Sequence, residues 1–434
     1  MRAIGTSVLS LVGGLDKVFI IPHFGKLEAG TKYYVVIGDG VITGTLNNKT
    51  FTGFASANKR WTFTTREAYT PESTTALKVS QTSADADYRT LQAALCVAED
   101  GATITVDPGV YREIIYDKKA RAVTIVGNTE KEFGSDVVIQ GINCNTYNGN
   151  AHTRASFYWS GSDLTLKNIT IQNAYDRNVD GTAQSEAIYF ANGVGKKLVA
   201  YNCSFKGFQD TIQTSGKNWF YKCYIEGDTD FIWGTADVAL FEECTLKMLD
   251  TTGNAVKASE AYIFETRVGS TENPLVPKGF VLFNSTVTVA KNQTAFYGRR
   301  ATAVEKAKSP YYDQCAIVNV NFVGEGNFGD MRWYVGKPPR VTKEPAHIGW
   351  KEYNVNLKEL QGRKPSDTAK RYKDAADISK KVYKKEYSNR DLIMNRVYNT
   401  DKSAYEADTQ TPWDINQLAR DRGYNVKNLP KQKK

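Results

Sequence analysis

LVAYNCSFKG (198–207), WFYKCYIEG (219–227) and LFEECTLKM (240–248) are three variations on one short pattern. Each begins with apolar residues, passes through polar residues to a cysteine, and then alternates apolar and polar side chains. Such alternation is typical of a β-strand that is buried on one side. The central residues, 20 and 21 positions apart, are Cys203, Cys223 and Cys244. A strand-like unit of this length predicts one coil of a solenoid.

The same pattern extends beyond these three units. LTLKNITIQN (164–173) is centred on Ile169 and VLFNSTVTV (281–289) on Ser285, at distances of 34 and 41 residues from the nearest cysteine centres. A unit of about 20 residues, lengthened by a loop or doubled, fits these distances. Short strands that cannot bury their apolar face alone stack on one another, so we predict an all-β fold, a parallel β-helix.

The central cysteines share strand parity with apolar neighbours, which predicts an unreactive stack inside the coil. Adjacent coils would bring their Cα atoms within the roughly 4.4–6.8 Å that a disulfide needs, so a bridge is possible but not favoured. No Cys-x-x-Cys pair occurs among the six cysteines. A zinc ribbon or a thioredoxin-type site is therefore not expected.

The flanks of the repeat differ from it in composition. Residues 1–66 contain short alternating segments that predict part of an immunoglobulin-like β module, and residues 67–76 read as a polar linker. We assign residues 77–364 to the β-helix, with an amphipathic helix over 87–101 near its start. Residues 365–434 are predicted to form a basic, partly helical C-terminal extension that packs on the solenoid or trails from its end.

The net charge of +9 is concentrated in that extension, which holds 16 Lys and Arg against 10 Asp and Glu. A basic terminus is usually a solvated segment, so the charge is compatible with an acidic substrate without indicating one. No run of 18 apolar residues occurs. We expect a monomer that binds neither nucleic acid nor membrane. Residues 1–15 read equally well as a weak signal peptide or as a truncated start.

Several catalytic signatures are missing from the sequence. There is no Gly-x-Ser-x-Gly elbow, no His-Glu-x-x-His motif, no phosphate-binding loop and no dinucleotide fingerprint. The three histidines, His23, His152 and His347, carry no local signature of a serine triad. We therefore expect no metal and no cofactor.

Two aspartates one coil length apart are the strongest chemical signal. Asp210 lies in GFQDTIQTSG (207–216) and Asp230 in GDTDFIWGTADVALFEEC (227–244). Stacked parallel strands lie about 4.8 Å apart, so a spacing of one coil can place both carboxyl groups side by side. Close carboxylates push their pKa values apart, which suits one nucleophile and one general acid. On spacing alone, an aspartate ladder that caps exposed turns fits equally well.

Five blocks of sequence decide between these readings. They are GVYREII (109–115), QSEAI (184–188), QDTI (209–212), DFIWG (230–234) and YGRRA (297–301). With these blocks, residues 77–350 resemble the pectin methylesterases. QDTI and DFIWG together are the most specific part of the match. The resemblance implies a right-handed parallel β-helix. It also implies a secreted enzyme that removes methyl esters from homogalacturonan (pectin), giving pectate and methanol.

The resemblance also implies a role for each matched residue. Asp230 corresponds to the nucleophile, and Asp210 to the acid that protonates the departing methanol and later acts as a base. Gln184 and Gln209 correspond to amides that stabilise the oxyanion, and Arg299 to the guanidinium that orients Asp230. A nearby cation keeps a carboxylate ionised, so Asp210 is expected to lie farther from the arginine.

The chain departs from the family pattern after the arginine. Arg300 and Ala301 stand where the family usually has Pro-Trp. Trp233, Trp333 and Trp350 are candidates for the lost sugar contact. The two aspartates are 20 residues apart where the family commonly has 21, and we place the deletion near 215–217. Asp228 and Asp237 do not match the catalytic positions and are interpreted as structural.

Two other functions remain open from the sequence. One is a glycosidase on the same solenoid, such as a polygalacturonase, because two carboxylates about 5 Å apart also suit a retaining glycosidase. An inactive pectin-binding β-helix is the second alternative, because the sugar-gripping Pro-Trp is missing.

Overall fold

The computed structural model of the chain describes residues 9–14, 17–22, 27–39, 45–46, 49–50, 52–53, 61–65, 67–250, 260–268, 273–300, 311–334, 347–365 and 375–424. From Thr74 onward the described residues belong to one compact unit, whereas most of those before it belong to another.

The N-terminal unit contains short paired strands. Lys32–Tyr34 pairs antiparallel with Thr62–Thr64, and Thr45–Leu46 pairs antiparallel with Lys49–Thr50. Leu9–Gly14 and Lys17–Pro22 form a separate two-stranded sheet, of which residues 11–14 and 17–19 are grouped with the larger unit. Strands are present as expected, but much of the predicted immunoglobulin-like module, including residues 40–44 and 54–60, lies outside the described residues. The module over 1–66 therefore stays a prediction.

The larger unit is a parallel β-helix whose strands stack on three faces. The first face consists of Ala76–Val79, Ala102–Val106, Val123–Gly127, Leu164–Lys167, Lys197–Tyr201, Lys217–Tyr221, Val238–Glu242, Gly279–Phe283, the start of Cys315–Gly324, Trp350–Asn356 and Ala376–Asp377. The second face consists of Gly109–Arg112, Val137–Gly141, Thr170–Asn173, Ser204–Lys206, Tyr224–Gly227, Thr245–Met248, Thr286–Val289 and the end of Cys315–Gly324. The third face consists of Ile115–Asp117, Phe157–Trp159, Ile188–Phe190, Ile212–Thr214, Ile232–Gly234, Glu260–Thr266, Thr294–Gly298 and Asn327–Phe328.

The strand register reproduces the repeat read from the sequence. On the second face Ile171 pairs with Phe205, Phe205 with Ile225, Ile225 with Leu246, and Leu246 with Val287. These offsets equal the spacings between the pattern centres, and each of the five side chains is buried. The predicted parallel β-helix is confirmed.

The turn between the first and second faces is a repeated left-handed residue. Asparagine tolerates this conformation better than most residues. At Asn168, Asn202, Asn284, Asn319 and Asn354 φ lies between 50° and 54°. Neighbouring asparagines also bond to each other, with Nδ2–Oδ1 distances of 2.8 to 3.0 Å. Each coil therefore orients the turn of the next.

The cysteine stack lies inside the coil as expected. Cys203, Cys223 and Cys244 are buried and none is bonded to another. Ser285 continues the column, and its hydroxyl accepts a hydrogen bond from the backbone N–H of Cys244 at 3.0 Å. Burial raises the pKa of the Cys223 thiol well above its ordinary value, which keeps it unreactive.

The helix near the start of the solenoid is shorter than predicted. It spans Leu91–Val97, with Thr90 as its N-cap. Tyr88 instead bridges to Val79 in extended conformation, so the helix begins four residues after the predicted start at 87. The carboxylate of Glu113 accepts from the backbone N–H groups of Leu91 and Gln92 at 2.8 and 2.9 Å. The glutamate of the GVYREII block thus anchors this helix.

The other short helices are Glu132–Gly134 (3₁₀), Ala151–Arg154 and Arg177–Asp180, followed in the extension by Lys380–Val382, Tyr383–Tyr387 (π), Arg390–Met394 and Ile415–Asp421. The extension also adds Arg396–Asn399, which pairs antiparallel with Ala404–Ala407 and with Leu275–Val276.

The C-terminal extension packs on the outer side of the first face. Tyr424 stacks on Tyr201 with ring centroids 4.1 Å apart, and Arg390 forms a two-pronged ion pair with Glu242. The ammonium of Lys217 is buried beneath the extension and donates to Met394 O, Thr411 O and Asp408. Trp219, Tyr221 and Leu240 contribute apolar surface to the same contact. Helix content is lower than predicted, because the first half of the 370–387 segment is not helical where it is described.

Candidate active site

Asp210 and Asp230 occupy the same position on successive coils. Each lies two residues before a third-face strand, and Ile212 pairs with Ile232 across those strands. The backbone N–H of Asp210 donates to Thr229 O at 3.0 Å, so the two coils stay in register as far as the aspartates. The structure therefore brings together the two carboxyl groups that the spacing predicted to be adjacent.

Both aspartates have a left-handed backbone, with φ of 65° at Asp210 and 48° at Asp230. Non-glycine residues in this region often occur at functional sites. Gly227 allows the second turn to close, since a Cβ there would lie 2.7 Å from Phe208 O and 2.3 Å from the Cβ of Phe231. The local conformation directs both acidic side chains out of the packed coil.

Asp230 is held by Arg299. Its two carboxylate oxygens accept from Nε at 2.8 and 3.1 Å and from Nη2 at 2.7 Å. Burial disfavours the guanidinium charge, but the carboxylate outweighs it and the pKa of Arg299 is raised. The guanidinium also lies over the Tyr262 ring, 4.4 Å from its centroid. The arginine thus fixes the orientation of the Asp230 carboxylate.

Asp210 meets a different environment. Its side chain is 4% exposed, and its Oδ2 accepts from Gln184 Nε2 at 2.8 Å. Burial, then the negative charges of Glu186 and Asp230, raise the pKa of Asp210 well above its ordinary value of 3.8, although Arg154 opposes the shift. These surroundings favour the protonated acid.

The two glutamines lie next to each other on one side of the aspartates. Gln184 bridges to Gln209 in parallel register, and the backbone N–H of Ser185 donates to Gln209 O at 3.1 Å. Both glutamines are half-buried. The amide of Gln184 lies against Asp210, where a carbonyl oxygen next to the carboxyl groups could accept a hydrogen bond, and Gln209 is its neighbour in register.

Arg154 and Glu186 complete the site, and sequence reasoning missed both. Arg154 donates from Nη1 to Gln184 Oε1 at 2.8 Å, and from Nε and Nη2 to Glu186 at 2.5 to 2.8 Å. Its Nη2 also lies 3.6 Å from Asp210 Oδ2. One signal for this pair was present in the sequence: the glutamate of QSEAI stands just before an apolar strand. A charged residue at such a buried position needs a partner of opposite charge.

An outward-facing row crosses the third face beside the aspartates. In strand register it contains Tyr158, Tyr189, Gln213, Trp233 and Glu265. The indole Nε1 of Trp233 and the Oε1 of Gln213 are buried and have no hydrogen-bond partner. Buried polar atoms are nearly always paired, so an orphan donor and an orphan acceptor in adjacent strands indicate a ligand position.

The structure corrects the expectation for two tryptophans. Trp333 and Trp350 are 0% and 1% exposed and stack on each other inside the coil, with ring centroids 4.8 Å apart. Neither offers a face to a sugar, so neither can be the replacement for the family tryptophan. Trp233 does lie beside the aspartates. Residues 301–310, which follow Arg300, lie outside the described residues.

Asp228 and Asp237 do not point into the site. Asp228 is fully buried and pairs with Arg177, which also donates to the Thr229 hydroxyl at 2.8 Å. This pair braces the turn that carries Asp230. Burial raises the pKa of Asp237 to about 6, while Lys217 opposes the shift. Both positions fit the structural interpretation.

The fold and site define a β-helical protein with a paired-carboxylate centre on its third face. Comparisons name its family: the pectinesterase family model matches residues 77–313, more than half of the sequence. The chain belongs to the pectinesterase family.

Individual relatives match more distantly. A probable pectinesterase/pectinesterase inhibitor from Arabidopsis thaliana is 31% identical over 225 residues, covering 46% of this chain and 38% of the relative. Across the relatives, the matched segment spans 38% to 60% of their own length.

Two solved structures share the fold. Carrot pectin methylesterase has a TM-score of 0.56 at 15% identity, with 74% of this chain and 92% of that chain covered. The Erwinia chrysanthemi pectin methylesterase PemA has a TM-score of 0.55 at 19% identity, with 75% and 98% covered.

Proposed function

We propose that this chain is a pectin methylesterase, which hydrolyses the methyl esters of homogalacturonan to pectate and methanol. One observation carries the proposal: equivalent aspartates on adjacent coils lie in different surroundings. Arg299 donates hydrogen bonds to both carboxylate oxygens of Asp230, whereas burial and neighbouring negative charge favour the acid form of Asp210. A nucleophile beside a proton donor is what ester hydrolysis without a hydroxyl nucleophile requires.

In the first half-reaction, Asp230 attacks the C6 carbonyl carbon of a methylated galacturonate. The carbonyl oxygen becomes an oxyanion, which the amide N–H groups of Gln184 and Gln209 stabilise. As the C–O bond to the methoxy group breaks, Asp210 donates its proton to that oxygen. Methanol leaves, and the galacturonate remains bonded to Asp230 as an acyl intermediate.

The second half-reaction returns the site to its starting state. Asp210, now ionised, removes a proton from a water molecule as that water attacks the acyl carbon. The bond to Asp230 breaks, which releases the galacturonic acid, and this product loses its remaining acidic proton to solvent to become the carboxylate. Arg299 receives the regenerated carboxylate of Asp230 in its original orientation.

Trp233 is the substrate contact that the site supports best. Its unpaired indole N–H lies next to the unpaired carbonyl oxygen of Gln213, so the two residues can hold one sugar hydroxyl between a donor and an acceptor. The guanidinium groups of Arg154 and Arg267 lie 5.9 and 5.0 Å from the Trp233 ring and fix its plane.

The enzyme is proposed to act outside the cell as a monomer, on pectin rather than on nucleic acid or membrane. Within the part of the chain that the structure describes, no helix has the length and apolar character to cross a bilayer.

Product analysis on highly methylated pectin tests the proposal. We expect methanol release without new reducing ends, unchanged by a chelator. New reducing ends would identify a glycosidase, and polymer binding without any product would identify an inactive binding protein.

A further inference from the structure

Gln184 is held by a residue behind it. Arg154 ends the short helix Ala151–Arg154, and its side chain is 8% exposed. One guanidinium nitrogen donates to Gln184 Oε1, while the others donate to Glu186. The same side chain thus contacts an amide that faces the reacting atoms and a carboxylate that is buried behind it.

This contact decides which way the Gln184 amide faces. A guanidinium can only donate hydrogen bonds, so the amide atom that faces it must be the carbonyl oxygen. The opposite atom, Nε2, then points to Asp210 at 2.8 Å. An amide nitrogen carries two N–H groups, so the second one remains to donate to an oxyanion that forms beside the carboxyl groups. A reversed amide would present a carbonyl oxygen to that charge and repel it.

We propose that Arg154 is a positioning residue of the esterase site, fixing the donor orientation of Gln184, with Glu186 as its counter-ion. The proposal rests on the proposed function, because an oriented donor matters only if negative charge forms beside it. Arg154 is assigned no direct contact with the substrate.

Glu186 is necessary because Arg154 lies close to the acid. A lone guanidinium 3.6 Å from Asp210 would favour the carboxylate form and remove the proton that methanol must receive. The charged groups that act on Asp210 are Glu186, Asp230, Arg154 and Glu265, with Arg299 beyond Asp230. The bidentate contact with Glu186 offsets the charge of Arg154 while keeping its donors in place.

The local backbone supports this arrangement. Ala187 and Ile188 both donate to Thr211 O, at 2.9 and 3.2 Å, so one extra residue is accommodated in the coil that carries Glu186. This bulge breaks the alternation and turns Glu186 beneath the site, where its side chain has no solvent exposure.

Steady-state kinetics of Arg154→Lys and Glu186→Gln, measured over pH, test the proposal. Lysine keeps the charge but cannot span Gln184 and Glu186 with a planar fork. We expect Arg154→Lys to lower kcat by about 10- to 100-fold, somewhat less than the loss of a whole oxyanion donor, with KM within about 3-fold. The alkaline limb of the pH profile of kcat should stay in place for Arg154→Lys. Glu186→Gln should instead move that limb to lower pH, because the positive charge of Arg154 then lowers the pKa of Asp210 without opposition from Glu186.

Arg390→Lys is the matched control. Arg390 forms an equally buried bidentate pair with Glu242 beneath the C-terminal extension, on the first face of the solenoid, whereas the aspartates lie at the third face. It should lower Tm as Arg154→Lys does but leave kcat unchanged. If Arg154→Lys does not fold, a double variant with Arg154→Met and Glu186→Leu removes both charges together. Replacing a buried ion pair by apolar residues is often neutral for stability. The double variant should show the same fall in kcat as Arg154→Lys.

The outcomes separate the two proposals. Methanol release by the unsubstituted enzyme with unchanged kcat in both Arg154 variants would overturn the positioning role alone. An unsubstituted enzyme that releases no methanol would overturn the proposed function itself.

Discussion

Asp210 and Asp230 are equivalent by coil position and backbone conformation, yet only Asp230 is bonded to a guanidinium. Asp210 instead accepts from an amide and lies among negative charges. The difference arises from the neighbouring coils: Arg299 approaches from the C-terminal side and Gln184 from the N-terminal side. One repeated position thereby acquires two chemical roles.

Asp230→Asn should abolish turnover. The amide is nearly isosteric but is a poor nucleophile, so kcat for methanol release should fall by at least about a thousandfold. Asp237→Asn is the matched control, since it changes an off-site aspartate on the next part of the chain and should leave kcat unchanged. Retained pectin binding with near-normal activity in Asp230→Asn would refute the nucleophile assignment.

Asp210→Asn should separate activity from stability. Loss of the proton donor should lower kcat by about 100-fold or more. Because the pKa of Asp210 is raised in the folded state, the wild-type free energy of unfolding falls as pH rises from its ordinary value through the raised one. The asparagine variant lacks this loss. Its Tm should exceed the wild-type Tm increasingly as pH rises, as thermal melts would show; a difference independent of pH would contradict the shift.

Trp233→Phe should weaken substrate binding with little effect on chemistry. Phenylalanine keeps the ring but removes the unpaired N–H, which corresponds to about a 3- to 10-fold rise in KM. Trp159→Phe provides the comparison, because that indole already donates to Ser162 O inside the protein. An unchanged KM in Trp233→Phe would exclude the indole as a sugar donor.

Lys217→Met should destabilise the protein without altering the site. It removes three hydrogen bonds to the extension and leaves Asp408 without its buried cation, a loss of about 3 kcal/mol or more in the free energy of unfolding. Lys402→Met removes an exposed pair with Glu406 and should cost no more than about 0.5 kcal/mol. Denaturant melts measure both, and kcat should remain unchanged.

The solenoid could be predicted because its signal is local and repeated. Each coil places apolar residues at the same offset, so the spacing of Cys203, Cys223 and Cys244 already contained the register. The adjacency of Asp210 and Asp230 followed from that register. Arg299 entered only through the family resemblance, because a contact 69 residues away has no periodic signature.

What the sequence could not supply was contact between irregular segments. Arg154 belongs to a short helix outside the repeat, so no spacing rule connects it with Glu186. The prediction for the tryptophans was wrong for another reason: aromatic residues serve both cores and sugar sites. Trp333 belongs to the core cluster, whereas Trp233 lies in the outward-facing row of the third face. The extension is partly helical, but the helix predicted over 370–387 is shortened because Ala376–Asp377 pairs as a strand with Trp350–Asn356.

The absence of disulfides among the six cysteines has a practical consequence. Of these cysteines only Cys96, on the first helix, reaches the surface. Folding therefore requires no oxidation step, and production under reducing conditions should yield native protein. A maleimide dye would attach once per molecule, giving a single-site optical reporter without any engineered substitution.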